Sequence, residues 1–159
     1  MTDVVFVEIP SGSRNKYEWD DELGGLVLDR RLFTSMTYPA DYGYVEGTLA
    51  EDDDPLDALV LVSDPTFPGC RIRVRPIGVF HMSDEKGPDE KMLCVPLGDP
   101  SFERLRDIDD VSVELRDEIE HFFQRYKDLE PAKKTETRGW GNRAEAEAIV
   151  AEARRRASG

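Results

Sequence analysis

Five carboxylates crowd into the seven residues Glu51-Asp52-Asp53-Asp54-Pro55-Leu56-Asp57, and carboxylates this close repel one another strongly unless cations sit among them. Pro55 stiffens the backbone between Asp54 and Asp57. Apolar segments flank the run on both sides, and a second acidic cluster follows at Asp84, Glu85 and Asp89. Carboxylate oxygens are hard ligands, matched to Mg²⁺, Mn²⁺ or Ca²⁺. A charge run standing alone reads as a solvated loop, but paired with a second cluster it predicts a metal site. It is not a calcium-sensor loop. With Asp52 as first ligand, Leu56 falls on the fifth position, Asp57 where glycine is needed, and Ser63 where a bidentate Glu is needed.

The net charge of -13 over 159 residues argues against non-specific binding to nucleic acid or to anionic membranes, both of which would repel the chain. An anionic substrate would have to arrive with cations or find a local basic patch. With 39% hydrophobic and 35% charged residues, the composition suits one soluble domain over residues 1–159. Cys70 and Cys94 have neither metal-ligand nor redox spacing and read as reduced core residues. Asp3 and Glu8 interrupt any basic-then-apolar leader, and Ala58 to Val62 is too short to cross a bilayer. The expected compartment is the cytoplasm.

Short strands punctuated by turns are predicted for the first two thirds: Val4–Ile9, Lys16–Trp19, Leu26–Leu28, Ala58–Val62, Arg71–Phe80 and Met92–Val95. Gly24-Gly25 turns the second into the third, and Ala58–Val62 is apolar enough to be buried on both faces. Strands at this spacing suggest a small barrel. The period then changes. Leu115, Ile119, Phe122, Phe123 and Tyr126 share one helix face. A last helix is expected to start at Asn142 as N-cap, with Glu145 as reciprocal partner and Ala146, Ile149, Val150 and Ala153 on its apolar side. Arg154 to Arg156 suit its C-terminal dipole. The fold class is α+β.

Tyr38, Tyr42 and Tyr44 immediately precede the acidic loop, and phenols donate hydrogen bonds to phosphate oxygens without adding charge. One of the three is expected in the aromatic core. Lys16, Arg30, Lys91 and Lys127 each lie beside a strand or at a helix end. Singly they read as surface charges. With two acidic clusters they describe alternating cation and anion sites, as a metal–phosphate complex requires.

Several segments together resemble the family I soluble inorganic pyrophosphatases, in the bacterial, actinobacterial branch. They are Glu8-Ile9-Pro10, Asn15-Lys16-Tyr17-Glu18, Leu28-Asp29-Arg30, Tyr38-Pro39-Ala40-Asp41-Tyr42-Gly43-Tyr44, Asp52-Asp53-Asp54-Pro55-Leu56-Asp57, Arg75-Pro76-Ile77-Gly78-Val79, Asp84-Glu85 with Asp89 and Lys91, and His121-Phe122-Phe123 with Tyr126-Lys127-Asp128-Leu129-Glu130. The resemblance spans nearly the whole chain. It implies a five-stranded, closed or nearly closed, OB-like β-barrel flanked by C-terminal helices. It also implies Mg²⁺-dependent hydrolysis of pyrophosphate to two orthophosphates, by in-line attack of a metal-activated water without a covalent intermediate; Mn²⁺ or another divalent ion is an alternative. On the same ground, Asp52, Asp57 and Asp89 would hold the first activating metal, with Asp57 also reaching the second. Asp84 and Asp89 would hold a metal that arrives with substrate, and Glu8 a further one. Asp54 would be the general base. Lys16, Arg30, Tyr38, Lys91, Tyr126 and Lys127 would grip phosphoryl oxygens, while Glu18, Tyr42 and Glu85 support the site. A homo-oligomer, commonly a hexamer, is implied as well.

The chain departs from the family pattern at Asp53, where glycine is usual; Asp tolerates left-handed backbone better than most residues. Asp21 and Lys86 stand where some actinobacterial relatives carry histidine, so no histidine-linked pH behaviour is expected there, and His81 and His121 read as structural. Two other functions compete: hydrolysis of a nucleoside polyphosphate, and a metal-binding module without turnover. A Walker-type Gly-rich loop is lacking, which weighs against the first. The presence of Asp54 and every phosphate grip weighs against the second. The packing of Trp140 and of the last helix, on the barrel or on a neighbouring subunit, is left open by the sequence.

Overall fold

The computed structural model describes residues 2–159. In chain order its elements are β1 (Asp3–Ile9), β2 (Asn15–Asp20), β3 (Gly25–Arg31), β4 (Asp41–Val45), β5 (Asp57–Val60), β6 (Arg71–Asp84), β7 (Gly87–Pro88), β8 (Lys91–Pro96), α1 (Val113–Arg125), β9 (Thr135–Gly141) and α2 (Arg143–Ser158). Five strands pair in a mixed, nearly closed ring in the order β1-β4-β5-β8-β6, with β6 pairing back to β1. The expected barrel-like architecture therefore holds. β2 and β3 form a separate two-stranded sheet.

Alternation along the ring strands decides what faces the core. Val5, Val7 and Ile9 of β1 are buried, which turns Glu8 to the opposite face. β5 and β8 are instead buried on both faces, as their uninterrupted apolar runs require. Leu59, Leu93 and Val95 join Ile119, Phe122 and Phe123 of α1 in one cluster. Ala58, Val60, Met92 and Cys94 join Ala146, Val150 and Ala153 of α2 in another. The wall is thus packed between two helices.

The single parallel pairing, β5 with β8, positions the site. Its register sets Asp57 beside Lys91, the first residues of the two strands. Two loops, one ending at Asp57 and the other at Lys91, therefore discharge at the same end of the ring. The first acidic cluster lies on the former loop, and the second runs from Asp84, the last residue of β6, to Asp89 just before Lys91.

β6 runs on to Asp84, four residues past the predicted Phe80, because β9 continues its pairing from Val79 to Asp84. The predicted strand Ala58–Val62 ends instead at Val60. β4 and β9 were not expected. β4 opens on Asp41, whose fully buried carboxylate accepts from Ser11 N at 2.8 Å and from Thr66 N at 3.2 Å, and its other face carries Tyr42 and Tyr44. β9 has no apolar alternation and owes its extended form to β6.

Trp140 packs on Phe80 of the ring with ring centroids 4.9 Å apart, so both it and α2 lie on the barrel of their own chain. At the start of α2, Asn142 Oδ1 accepts from Glu145 N at 2.9 Å, as expected of an N-cap. The Glu145 carboxylate does not close the reciprocal half; it goes to His81. The C-terminal arginines do more than complement a dipole. Arg154 pairs with Asp3, and Arg156 donates to Leu49 O at 2.9 Å.

Gly43 marks the closest approach in the ring: an added Cβ would lie 1.8 Å from the carbonyl oxygen of Phe6 on β1. Gly43→Ala is predicted to lower stability by about 2 kcal/mol or more, since backbone rather than side chain would have to move. Thermal unfolding should register this as a fall in Tm of roughly 5 °C or more. An unchanged Tm would mean that β1 and β4 do not need this contact.

Candidate functional site

Lys91 lies at the centre of the charged end of the ring, 1% exposed. Its ammonium donates to Asp57 Oδ2 at 2.9 Å, Asp89 Oδ2 at 3.0 Å and the Tyr42 hydroxyl at 2.9 Å, and stands 5.4 Å from the centre of the Phe123 ring. Burial works to strip its proton, but Asp57, Tyr42 and Asp89 together hold its pKa well above the ordinary lysine value. Asp57 is pushed up to about 6, by burial first and by the neighbouring Asp89 carboxylate, against the pull of Lys91. Burial also acts to raise Asp89, yet Lys91 and a hydrogen bond from Asp57 carry it below the ordinary range. Of the two carboxyls, Asp57 is therefore the one that takes up a proton first as pH falls.

Around this centre opens a cavity of about 850 Å³. Every one of the fifteen side chains singled out in the sequence lines it: Glu8, Lys16, Glu18, Arg30, Tyr38, Tyr42, Asp52, Asp54, Asp57, Asp84, Glu85, Asp89, Lys91, Tyr126 and Lys127. Each arrives for a local reason. Glu8 is the outward member of β1, anchored by Trp19 N at 3.2 Å. Lys16 and Arg30 are register partners across β2 and β3, so that small sheet presents two cations side by side. Tyr38 is the phenol in the core, tilted against Phe122 at 4.8 Å and Tyr42 at 5.3 Å. Tyr126 caps the C-terminus of α1 and Lys127 follows it, with its ammonium 3.9 Å from Asp84. Burial raises the pKa of Tyr38, Tyr42 and Tyr126, so all three keep their protons as hydrogen-bond donors. Burial likewise lowers that of Lys127, partly countered by Glu85 and Asp84.

The acidic loop turns on itself. Ala50 N donates to Asp54 O at 2.7 Å, Asp53 N to Ala50 O at 3.1 Å, and Asp54 N to Asp52 Oδ1 at 3.1 Å. Asp53 takes φ 67°, the left-handed geometry that glycine adopts most readily. Asp54 has its pKa raised by partial burial and then by Asp52. Glu8 is pushed up to about 7, again by burial first and then by Asp57.

Asp29 and Glu130 also line the cavity, and sequence reasoning gave them no role. Arg30 donates to Asp29 at 2.6 Å and grips Glu130 through two nitrogens, Nη2 to Oε2 at 3.1 Å being one of the bonds. Glu130, then Asp29, raise the Arg30 pKa against the effect of burial. No local signal reveals the longer pairing, which joins residues 100 positions apart. Asp21, at one of the positions where histidine had been considered, accepts from Trp19 Nε1 at 3.0 Å.

The donor set fits hard divalent cations. All the candidate ligands end in carboxylate oxygens, and the raised Glu8 and Asp57 mark negative charge short of counter-ions. Among the described residues no three such side chains are gathered closely enough to clasp one ion unaided. Mg²⁺ keeps several waters and takes one or two carboxylates, a demand that the neighbouring pairs Asp52/Asp54 and Asp57/Asp89 meet.

A family model described as inorganic pyrophosphatase matches residues 5–158. The chain is 62% identical over 146 residues to the inorganic pyrophosphatase of Streptomyces coelicolor, covering 92% of this chain and 90% of that protein. It is 58% identical over 153 residues to that of Corynebacterium glutamicum, covering 96% of each. Among solved structures, the inorganic pyrophosphatase of Helicobacter pylori superposes with a TM-score of 0.97 at 41% identity, over 99% of this chain and 94% of that one. That of Thermus thermophilus gives 0.96 at 43% identity, over 98% and 91%.

Carboxyls with raised pKa hold protons that a cation must expel. Glu8 at about 7 and Asp57 at about 6 are partly protonated near pH 6.5 and ionised above pH 8. Mg²⁺ binding should release on the order of one proton per chain at pH 6.5 and almost none at pH 8.5. Calorimetric titrations in buffers of different ionisation enthalpy measure this. Equal release at both pH values would contradict the charge distribution described here.

Proposed function

The chain belongs to the inorganic pyrophosphatase family, and from that premise we propose that it hydrolyses inorganic pyrophosphate to two orthophosphates with a divalent cation, Mg²⁺ by preference. The observation that carries the reading is the convergence of all fifteen predicted side chains, anionic and cationic, on one cavity. Asp52, Asp57 and Asp89, too widely spaced to clasp an ion unaided, would hold the first activating ion together with retained waters, with Asp57 also reaching the second. Asp84 and Asp89 would hold one that accompanies substrate, and Glu8 a further one. Bound there, divalent ions polarise phosphoryl oxygens and lower the pKa of a coordinated water.

The chain's own residues do the rest. Lys16, Arg30, Lys91 and Lys127 face the phosphoryl charge, and the protonated phenols of Tyr38 and Tyr126 donate to its oxygens. Glu18, Tyr42 and Glu85 support these groups. Asp54 takes a proton from the attacking water. The water oxygen bonds to one phosphorus as the bond to the bridging oxygen breaks, and that oxygen leaves with the electron pair on the second phosphate and takes up a proton. Lysine and arginine stabilise the charge that develops there. The acidic balance of the chain ceases to be a paradox, because the carboxylates recruit the cations that admit an anion.

Leu28, Phe33, Phe67 and Leu129 are exposed apolar side chains, in keeping with the expected homo-oligomer, a hexamer by family resemblance. Cys70 and Cys94 are free thiols, in keeping with a cytoplasmic setting. No helix among the described residues is long and apolar enough to cross a membrane.

Phosphate release from pyrophosphate, with and without Mg²⁺, tests the proposal in the parent and in Asp54→Asn. Mg²⁺-dependent release should fall by roughly 100-fold or more in the variant with Tm preserved. No release from the parent under Mg²⁺ or Mn²⁺ would leave a metal-binding relative without turnover. Release undiminished in Asp54→Asn would move the base elsewhere in the acidic loop.

A further inference from the structure

His81 lies on β6 with a carboxylate against each ring nitrogen: Glu90 Oε2 is 2.6 Å from Nδ1, and Glu145 Oε1 is 2.7 Å from Nε2. A neutral imidazole has one N–H and satisfies one acceptor; the imidazolium satisfies both. The arrangement is a carboxylate–histidine–carboxylate bridge that joins β6, the loop before β8 and the first turn of α2.

Each arm is constrained. Glu145 belongs to the first turn of α2, where Asn142 Oδ1 holds its backbone N–H at 2.9 Å. Its side chain crosses Gly141 so closely that an added Cβ there would lie 2.2 Å from Oε2. Glu90 sits between Asp89 and Lys91, whose side chains meet each other at 3.0 Å. While those two meet in the candidate site, Glu90 turns to His81. The same stretch of β6 also takes the backbone of this segment, Asp89 N donating to Met82 O at 2.9 Å.

We propose that His81 is a positioning residue for the cation-binding end of β8, fixing Glu90 and through it the placement of Asp89 and Lys91. The inference rests on the reading of Asp89 as a cation ligand given under Proposed function. Groups one step removed from metal ligands commonly set affinity by orienting them, and here the step is a peptide bond.

The test is direct titration of the full chain with Mg²⁺ alone, without pyrophosphate, alongside thermal unfolding, for the parent, His81→Gln and His81→Arg. His81→Gln should weaken Mg²⁺ binding by about tenfold, and His81→Arg, which supplies N–H donors able to reach both carboxylates, should restore most of it. Tm should change little, because the bridge is partly solvated, with side chains 25%, 32% and 47% exposed for His81, Glu90 and Glu145. Unchanged Mg²⁺ affinity in His81→Gln would overturn the proposal. So would equal losses in both variants with a parallel fall in Tm, which would mark packing rather than charge. Because no pyrophosphate is present, this comparison stands or falls separately from turnover.

Discussion

The site depends on one buried ammonium. Lys91 sits at the start of β8 among Asp57, Asp89 and Tyr42, with aromatic faces behind it. A carboxylate pair taken out of water is costly unless a cation and further hydrogen bonds compensate it. Here the compensation is built into the sheet: the parallel register of β5 and β8 sets Asp57 beside Lys91 before any ligand arrives. The raised pKa of Asp57 shows that the compensation is incomplete. A divalent ion entering the site would complete it.

That incompleteness links fold to function. The ring wall is held by apolar contacts on both faces, which gives the charged end a packed base on which Lys91 orders the carboxylates. Charge is then distributed over loops at one end and a small separate sheet, where Lys16 and Arg30 are paired off against Glu18, Asp29 and Glu130. Those cations are restrained by carboxylates in the absence of substrate. A phosphate has to compete for them, and it brings more charge to the contest than either carboxylate does.

Much of this was legible in the sequence, for identifiable reasons. β1, β6, β8 and α1 announce themselves by their own apolar period, and the ordered motifs pointed to every candidate side chain that converges on the cavity. β4 was hidden because its buried positions are Asp41 and Gly43 as well as Val45, residues that carry no strand signal. β9 was hidden because Thr135–Gly141 becomes a strand only by pairing with β6. Glu130 could not be assigned to Arg30, nor Glu90 and Glu145 to His81, since each partnership is made by tertiary proximity alone. Asp53 shows the opposite case: a departure from glycine whose tolerance follows from the conformational range of aspartate, and whose φ of 67° agrees.

The central claim is that the Lys91 ammonium holds the buried carboxylate pair in place, and equilibrium unfolding of Lys91→Met in Mg²⁺-free solution tests it most directly. At pH 8 the variant leaves Asp57 and Asp89 charged, part-buried and without their ammonium partner, and should be less stable than the parent by about 1–3 kcal/mol. Lowering the pH to 5 protonates Asp57, whose pKa the fold already raises, so the deficit should shrink as pH falls. A variant as stable as the parent at both pH values would contradict the account.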